Sequence, residues 1–464
     1  KKEMVDDYVD YMDIDAISDE IIDLLKHKRY AAVRNRLTET NVVDIAETLE
    51  NINEELGLDK TILTFRLLPK DVSVEVFAYI GEDEQVEIIH GITQHEIDYI
   101  IDELAFDDMI DLLEELPANL VDKILLNTSK EERKLINTFL NYPENSAGSL
   151  MTIEYVDLHD YFTVRKAMDY IRRTGIDKET VYTCYVIDDQ RRLVGQVSLR
   201  KLIIAPESAC IRDIMDTNIV SAATTDDQEA VADDFRRYDL TSIAVCDKEG
   251  RLVGIITIDD IVDVIQDENT EDIKKMAAII PSDEDYMKTS VWSLVAHRLP
   301  WLMLLMISAT FTSTIITHFE TLLSGAVLLT AFIPMLMDSA GNSGSQTSVT
   351  VIRNLALGEI ELRDWPHVLA KEIGVAVVSG AALALVNFLR IIIFTSTSMM
   401  IAAVVSVTLF CTVIIAMIVG CLLPIGAKKL GFDPAVMASP MITTIVDACS
   451  LMIYFLIATS MLGL

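Results

Sequence analysis

Five long apolar stretches in the C-terminal part of the chain constrain its fold more than any other feature. Each contains roughly 20 residues and few charges, which is the length that an α-helix needs to cross the hydrocarbon core of a bilayer. They lie near residues 299–317, 322–346, 368–394, 399–427 and 441–462. We therefore predict an all-α transmembrane domain of five helices.

Basic residues flank these stretches on alternate sides. They are Arg298, Arg353, Arg363, Lys371, Lys428 and Lys429. Because basic loops remain in the cytoplasm, this pattern predicts a multi-pass protein of the cell membrane with a cytoplasmic N-terminus and, after five crossings, an external C-terminus. Arg390, near the outer end of the third stretch, departs from the pattern, and we expect its side chain to reach the headgroups.

The rest of the chain is strongly acidic. The sequence combines 51% hydrophobic residues with a net charge of -34, yet residues 297–464 contain only 7 basic and 8 acidic residues. Nearly all of the negative excess therefore lies in residues 1–296. Such a charge repels nucleic acid and anionic headgroups and attracts cations. We expect no nucleic-acid partner, and the acidic surface serves either metal cations or solubility alone.

The sequence lacks the motifs of common enzymes and of disulfide-bonded proteins. The six cysteines form no Cys-x-x-Cys pair, so neither a zinc site nor a disulfide framework is expected, and a reduced cytosol suits them. We find no phosphate-binding loop, nucleophile elbow or His-Glu-x-x-His motif. Residues Lys1–Tyr8 lack the apolar core of a signal peptide. We predict a protein that is not an enzyme and whose acidic part stays inside the cell.

A single carboxylate interrupts the last apolar stretch. Asp447 stands alone between residues 441 and 461, where an ionised group is unfavourable unless it meets water or a cation. It indicates either an ion path or a protonated or hydrogen-bonded carboxyl that holds helices together.

The second apolar stretch continues into Ile333–Thr350, a segment too polar to face lipid and too rich in small residues for an ordinary core. Gly341 and Gly344 permit close approach of helices, and Asn342 and Gln346 offer oxygen atoms. Polar groups at this depth are tolerated only against protein or water. Tight helix packing explains the glycines, whereas Asp338 and Asn342 favour a water-lined path.

Residues 15–140 show helical periodicity broken by short turns, as in Val74–Ile80 and Met109–Leu116. Short amphipathic helices of this kind predict an all-α helical solenoid. Asp107 and Asp111 are four residues apart, so both carboxylates lie on one helix face and repel each other. The pair is either solvated surface or a cation site.

Residues 145–268 look like a tandem duplication. Leu150–Thr152 matches Ile214–Asp216, and Arg191–Ser198 matches Gly250–Thr257. Each copy has an apolar strand, a glycine turn and a following helix. The pattern resembles paired CBS domains, a regulatory α/β module.

In CBS modules a Thr/Ser-x-x-Asp sequence often binds a nucleotide ribose. Thr257 and Asp260 have this spacing, whereas Ser198–Lys201 lacks the acid. The resemblance therefore implies either one adenine nucleotide site, with ATP as the candidate ligand at Thr257 and Asp260, or a pair that serves only as a hinge and dimer surface.

The whole chain resembles the MgtE family of magnesium channels. The most diagnostic pieces are Tyr142–Gly148, Gly341–Gln346 and Pro440 followed seven residues later by Asp447. The implied domains are an acidic helical N-domain over 1–142, CBS repeats over 143–208 and 209–268, a linker (plug) helix region over 269–295 and the transmembrane domain over 296–464.

The resemblance implies a homodimer whose pore lies between the protomers, lined by the second and fifth spans. Asp447 of each chain would hold a hydrated Mg²⁺ ion, and Asp338, Asn342, Ser439 and Thr443 would line the path. Mg²⁺ sheds water reluctantly and is well held by one or two carboxylates acting through its retained waters.

The family also closes its pore when cytosolic Mg²⁺ is high, which the acidic domains make physically reasonable. Repelling domains come together when cations bridge them, and the linker helix then blocks the pore. By motif position the regulatory ligands would be Glu75, Asp107, Asp111, Glu229, Asp239, Asp260, Glu268, Glu271, Asp272 and Asp433.

Two positions depart from the family pattern, and two other functions stay open. Ser439 and Ser345 stand where some members have Asn, so contacts at the gate and the polarity of the pore are expected to differ. One alternative is a secondary transporter that couples a divalent cation to Na⁺ or H⁺, with Asp338 as a second titrating site. The other is a membrane-anchored nucleotide sensor, which would take up no Mg²⁺.

Overall fold

The computed structural model describes residues 14–282, 286, 289–319, 327–395, 397–437 and 439–462. The chain forms two compact units, Lys1–Ile265 and Gln266–Leu464. Residues 1–13 of the predicted N-domain, residues 320–326 at the start of the predicted second span, and part of the predicted linker region lie outside the described residues.

Within residues 14–139, the first unit forms ten short helices. Their bounds are α1 Ile14–Lys26, α2 Tyr30–Thr38, α3 Val42–Leu56, α4 Leu58–Phe65, α5 Lys70–Ala78, α6 Glu82–Gly91, α7 Gln94–Glu103, α8 Phe106–Glu115, α9 Ala118–Asn127 and α10 Lys130–Phe139. Helix α3 packs on α5, α4 on α6 and α6 on α8. The predicted all-α N-domain is confirmed.

Local sequence explains where these helices start and which face they bury. Thr93 and Glu96 form a reciprocal capping box at the start of α7, and the backbone N–H of Thr93 donates to Glu96 Oε2 at 2.7 Å. Apolar residues three or four positions apart, such as Ile45 and Leu49 of α3, are fully buried. The stack therefore has a continuous apolar centre and an acidic surface.

Two small sheets of the same topology follow, as the duplication predicts. The strands are β1 Asp157–His159, β2 Thr183–Ile187, β3 Leu193–Ser198, β4 Ser221–Ala223, β5 Ser242–Cys246 and β6 Leu252–Thr257. In each sheet the first strand pairs parallel with the second, and the second pairs antiparallel with the third. The helices around them are α11 Ala147–Leu150, α12 Val164–Thr174, α13 Leu199–Ile204, α14 Ile211–Ile214, α15 Gln228–Tyr238 and α16 Ile258–Met276.

The two repeats exchange the methionine segments that precede them. Thr152, at the head of the first repeat, forms a bridge with Ile255 in β6, while Asp216 bridges to Gln196 in β3. A Cβ at Gly254 would lie 2.9 Å from the backbone carbonyl oxygen of Thr152, so the close approach of these two segments favours glycine. The matched motifs therefore join the two repeats.

The described residues of the second unit form the end of α16 and five long helices. These are α17 Val291–His318, α18 Ile333–Ala356, α19 Trp365–Phe394, α20 Met399–Lys429 and α21 Ser439–Leu462. Four helical stretches among the residues described are long and apolar enough to cross a membrane, namely Val291–His318, Leu362–Phe394, Met399–Lys429 and Pro434–Leu462. Helix α18 is not among them because polar residues fill its centre.

The predicted second span, 322–346, is displaced from the helix observed there. Helix α18 starts at Ile333, with Pro334 in its first turn, and continues to Ala356. Pro suits this position because its missing N–H and fixed φ do not disturb a first turn. The polar run that was expected near the end of the span is therefore the middle of the helix.

Glycines bring α18 close to its neighbours. A Cβ at Gly344 would lie 2.9 Å from Ile442 Cγ2 of α21 and 3.1 Å from the carbonyl oxygen of Ala416 in α20, and a Cβ at Gly420 would collide with the carbonyl oxygen of Gly344. Small residues of this kind let membrane helices pack backbone to backbone. One face of α18 is therefore fixed against α20 and α21.

Candidate functional site

The opposite face of α18 carries a stripe of exposed polar side chains. Asp338, Asn342 and Gln346 follow one another at intervals of four residues and are exposed, whereas Ala340 and Gly344 are buried against the neighbouring helices. A lipid environment would leave these polar groups unsatisfied. The stripe therefore requires water, an ion or another protein surface beside it.

Helix α21 places Asp447 next to this stripe. Asp447 is half-buried, and its carboxylate interacts electrostatically with that of Asp338 on α18. One turn earlier, Thr443 packs on α18, since a Cβ at Gly341 would lie 3.2 Å from Thr443 Cγ2. The Thr443 hydroxyl donates to the Pro440 carbonyl at 3.0 Å. Two acids and a polar stripe thus share one side of the α18–α21 pair.

Of the four residues predicted to line the pore, three are placed together on these two helices. Asp338 and Asn342 lie on the exposed stripe, and Thr443 lies at the contact between α18 and α21. Ser439 is the first residue of α21, and its side chain falls outside the described part of the structure.

A second acidic cluster lies in the first unit, on α8. Burial raises the pKa of Asp107 to about 8, with further contributions from the charges of Asp108 and Asp260. Burial and the nearby charges of Asp108 and Glu114 raise the pKa of Asp111 to about 7. Burial also raises the pKa of Asp108 to about 6, helped by Asp260. Several like charges therefore lie close together, with Asp107 and Asp108 half-buried and Asp111 exposed.

The cluster draws its members from distant parts of the chain. Asp260 lies in the first turn of α16, and Glu179 lies between α12 and β2. Burial is the largest cause of the raised pKa of each, and Asp260 also contributes to the shift of Glu179. The N-domain and the second CBS repeat therefore direct carboxylates at one another.

This cluster fits a hydrated divalent cation. Asp107 Oδ1 is buried and has no hydrogen-bond partner. Among the residues that the structure describes, no three His, Cys, Asp or Glu side chains converge closely enough to ligate one ion directly. Mg²⁺ usually keeps several waters and binds through one or two carboxylates. The donor set suits an ion that retains its water shell.

Thr257 and Asp260, the predicted nucleotide residues, contact each other. The Thr257 hydroxyl donates to Asp260 Oδ2 at 2.9 Å, and Thr257 is buried at the end of β6. The Asp260 carboxylate is thus held by its own threonine and faces the charges of α8 as well. Nucleotide binding and cation binding would draw on the same side chain.

A third acidic group lies in the second unit, where α16 ends. Lys275 Nζ lies 2.8 Å from Glu271 Oε1 and 2.8 Å from Asp433 Oδ2. Burial raises the pKa of Asp272, and the charge of Asp433 adds to the shift while Lys275 opposes it. Glu268 also interacts with Asp272. An amine therefore lies between two of the predicted metal ligands.

The end of α16 also contacts the transmembrane helices of the same unit. Arg353 Nη1 donates to Asn269 Oδ1 at 3.1 Å, and Met276 packs against Ile352 and Ala435. These contacts hold the linker helix beside the C-terminal end of α18 and the short helix Pro434–Met437 that precedes α21.

Three other predicted ligands lie apart from these groups. Glu75 is exposed on α5, Glu229 is exposed in the first turn of α15, and Asp239 is exposed just after α15 in a left-handed conformation with φ 50°. Asp tolerates this conformation better than most residues, which gives Asp239 a structural role at the helix end. None of the three interacts with Asp107 or Asp111 among the interactions that shift those groups.

The sequence analysis missed residues that belong to the acidic cluster on α8 and to the acidic group at the end of α16. Asp108 follows Asp107 directly, and Glu179 gave no local signal because it lies in a loop. Lys275 stands four residues after Glu271, a helical ion-pair spacing that was visible in the sequence.

Comparisons with known proteins agree with this arrangement of domains. The profile of the MgtE family, described as a divalent cation transporter, matches residues 333–457, and the MgtE intracellular N domain matches 40–145. CBS domain profiles match residues 147–208 and 211–267. The magnesium transporter MgtE of Thermus thermophilus is 34% identical over 453 residues, which cover 94% of this chain and 99% of the relative. The chain belongs to the MgtE family of magnesium transporters.

A second MgtE relative and a solved MgtE structure support the assignment. MgtE of Bacillus subtilis is 31% identical over 97% of this chain and 99% of its own length. The crystal structure of the cytosolic domain of an Mg²⁺ channel MgtE in complex with ATP is 32% identical, covers 53% of this chain and 99% of that domain, and superposes with a TM-score of 0.50. As an MgtE protein, this chain is a multi-pass membrane transporter rather than an enzyme, and its substrate is Mg²⁺.

Proposed function

We propose that the chain is a passive, Mg²⁺-selective channel of the cell membrane, with its pore at the interface of two copies. The observation that carries the proposal is the exposed polar stripe of α18 beside Asp447 of α21. In a homodimer related by a twofold axis, the two stripes face each other across water. Two Asp447 carboxylates then hold one Mg²⁺ ion through its retained waters.

Energetics favour this arrangement over exposure of the stripe to lipid. An Asp at the centre of a membrane helix is unfavourable by roughly 2.5–3.5 kcal/mol on insertion scales. Asn342 and Gln346 add further polar groups that hydrocarbon cannot satisfy. A water-filled path between protomers removes this penalty, and the positive-inside pattern favours a cytoplasmic position for the N-terminus and both acidic clusters.

Selectivity then follows from the size of the ion with its water shell. Mg²⁺ is small and dehydrates reluctantly, while Ca²⁺ loses water more readily and accepts more ligands. A wide site with one carboxylate on each side recognises the hydrated ion and its double charge.

Uptake of Mg²⁺ into liposomes tests the proposal. The full chain, Asp447→Asn and Asp447→Ala are compared with Glu359→Gln, an exposed acid outside the stripe. We expect both Asp447 variants to lose most uptake and the Glu359 variant to keep it. Normal Mg²⁺ flux through Asp447→Ala would exclude this carboxylate as the pore site, and no flux from the unaltered chain would favour the anchored-sensor alternative.

We further propose that cytosolic Mg²⁺ closes the channel. The carboxylates of α8 and Asp260 repel one another, and the buried Asp107 Oδ1 lacks a hydrogen-bond partner. A bound divalent cation offsets this repulsion and stabilises the contact between the N-domain and the second CBS repeat. Arg353 and Asn269 hold the end of α16 beside α18. We propose that cation binding fixes this end of α16 in the position that closes the pore.

A coupled transporter is the second candidate, and the interaction between Asp338 and Asp447 favours it. Two neighbouring carboxylates can share a proton, which would link cation binding to proton movement. Imposed gradients discriminate the two functions in the same liposomes. Flux that follows the Mg²⁺ gradient alone supports the channel, whereas uptake driven uphill by a proton or sodium gradient supports the transporter.

An ATP site at Thr257 and Asp260 is a proposal of a different kind. The solved relative whose cytosolic domain is in complex with ATP supports it. In this chain Asp260 also belongs to the acidic cluster, so we expect ATP and Mg²⁺ occupancy to influence each other. Equilibrium binding of ATP to the full chain and to Thr257→Ala, at low and high Mg²⁺, measures that coupling.

A further inference from the structure

A cleft of about 370 Å³ lies between the end of α20 and the segment that leads into α19. Its apolar wall is formed by Leu362, Leu422 and Ile425. Arg363 and Lys429 lie at its rim, together with Trp365, the first residue of α19. The cleft lies within the second unit and is separate from the polar stripe and from both acidic groups.

Lys429 and Arg363, the two basic residues of the cleft, are available to bind an anion, whereas the adjacent Lys428 is not. Lys428 donates to the Leu355 carbonyl at 2.9 Å and so serves the fold. Lys429 is exposed, and within the described ranges it forms no ion pair. Arg363 donates to Glu361 twice, from Nε to Oε2 at 2.7 Å and from Nη2 to Oε1 at 3.0 Å, and both side chains are largely exposed. A guanidinium has five N–H donors, so Arg363 keeps donors for a second anion beside this pair.

The position of the cleft relative to the bilayer is set by the helices that form it. Helix α20 ends at Lys429, and α19 starts at Trp365, so the cleft lies where two membrane-crossing stretches meet the headgroup region. Trp365 is 47% exposed, and Trp favours this region of a membrane. Leu422 lies two turns before Lys429 on α20 and is partly exposed, so it extends the apolar wall away from the basic end of that helix.

We propose that this cleft binds an anionic phospholipid. The phosphate lies between Arg363 and Lys429, and an acyl chain runs over Leu422 and Ile425. Basic pockets between transmembrane helices recognise anionic headgroups in this way. Free phosphate would satisfy the two cations but would leave the apolar wall uncovered, so the wall favours the lipid. The proposal does not depend on the pore or on gating.

Gly426 allows the cleft to be filled without disturbing the helices. It lines the cleft, and a Cβ at this position would meet nothing within 4 Å. Gly426→Leu therefore occupies the space of the acyl chain while keeping both cations. Arg363→Gln with Lys429→Gln removes the charges while keeping the space.

The experiment measures lipid binding to the full chain in neutral detergent, by native mass spectrometry and by thermal unfolding. Dioleoylphosphatidylglycerol, dioleoylphosphatidylcholine and inorganic phosphate are the three probes. Lys371→Gln, at an exposed lysine of α19 outside the cleft, is the control for loss of a positive charge elsewhere on the same surface. Thermal unfolding without lipid shows whether each variant is folded.

We expect phosphatidylglycerol, but not phosphatidylcholine or phosphate, to bind and to raise the unfolding temperature. Each basic residue near an anionic headgroup is worth about fivefold in binding, so the double Gln variant should bind about 30-fold more weakly. Gly426→Leu should also lose binding, and Lys371→Gln should keep it. Equal binding of both lipids, equal protection by phosphate, or unchanged affinity in both cleft variants would overturn the proposal.

Discussion

Lys275 and Asp433 form an ion pair of 2.8 Å that joins the end of α16 to the segment before α21. Lys275 also contacts Glu271 on its own helix at 2.8 Å. Burial would lower the pKa of Lys275, but its bonds to Asp433 and Glu271 outweigh burial and raise it. The amine therefore stays charged and bridges two acids that the sequence assigned to metal binding.

Replacing Lys275 with Met tests whether this bridge holds the linker helix in place. We expect Lys275→Met to speed Mg²⁺ uptake when the cytosolic side contains little Mg²⁺, because only the amine then joins α16 to Asp433. A partly exposed pair contributes about 1 kcal/mol, or about fivefold in the ratio of closed to open channels. Liposome uptake at stepped Mg²⁺ on the cytosolic side measures the change.

The neighbouring lysine provides the control for that substitution. Lys274 donates to the Ser282 carbonyl rather than to Asp433. Lys274→Met should therefore leave the dependence on cytosolic Mg²⁺ close to that of the unaltered chain. Identical behaviour of the two variants would mean that the Lys275–Asp433 pair has no part in gating.

The α8 cluster predicts a specific dependence on pH. The pKa values of Asp107, Asp108 and Asp111, about 8, 6 and 7, lie above the ordinary value near 4. A carboxyl whose pKa is raised by folding stabilises the fold at low pH and loses that contribution as the pH rises through the raised value. Without Mg²⁺, packing of α8 should therefore weaken between about pH 4 and pH 8.

Mg²⁺ should reverse this loss, and most strongly at high pH, because the ion binds only ionised carboxylates. Limited proteolysis of the full chain with and without Mg²⁺, at pH 5, 6.5 and 8, checks this. Protection by Mg²⁺ should be small at pH 5 and large at pH 8. The cluster would not be the binding site if protection were equal at the two ends of this range.

Replacing Asp107 with Asn distinguishes the effect of charge repulsion on the α8 cluster from the effect of Mg²⁺ binding. In Asp107→Asn the buried charge is gone, so resistance to proteolysis without Mg²⁺ should rise. The Mg²⁺ concentration that gives half of the remaining protection should increase by about tenfold, the usual effect of losing a partner outside the direct ligand shell. Asp71→Asn, at an exposed acid of α5 that is not among the predicted ligands, should change neither quantity. A lower half-protecting concentration in Asp107→Asn would contradict the assignment.

The helices and the repeat could be predicted from sequence because their signals are local. The spacing of Asp107 and Asp111 correctly placed both on one face of α8, since an interval of four residues fixes that face. Asp260 and Glu179 reach the same cluster only through tertiary packing, which no spacing reports. Their convergence was implied by family resemblance for Asp260 and was missed for Glu179.

Helix α18 shows why hydropathy alone misplaced one span. The polar residues from Asp338 onward read as the end of an apolar stretch, although the helix continues to Ala356. Its buried face supplies the packing energy through glycines and apolar residues, while its polar face needs a partner or water that a window average does not represent. The error therefore falls on the element that we propose lines the pore.

The glycine contact between α18 and α20 gives a test of the transmembrane fold. A Cβ at Gly420 would collide with the carbonyl oxygen of Gly344. Because this oxygen belongs to the backbone of α18 and the Cβ is fixed to the backbone of α20, the clash is relieved only if one helix moves. Overpacking of this kind typically costs about 1–3 kcal/mol, so Gly420→Ala should lower the unfolding temperature in detergent. Gly426→Ala, on the same helix, meets nothing within 4 Å and should leave the unfolding temperature nearly unchanged.

Because the contact between Gly420 and Gly344 also positions the face of α18 that carries Asp338 and Asn342, Gly420→Ala should reduce Mg²⁺ uptake by the protein that remains folded. Equal stability of the two variants would show that α18 and α20 are not packed this closely.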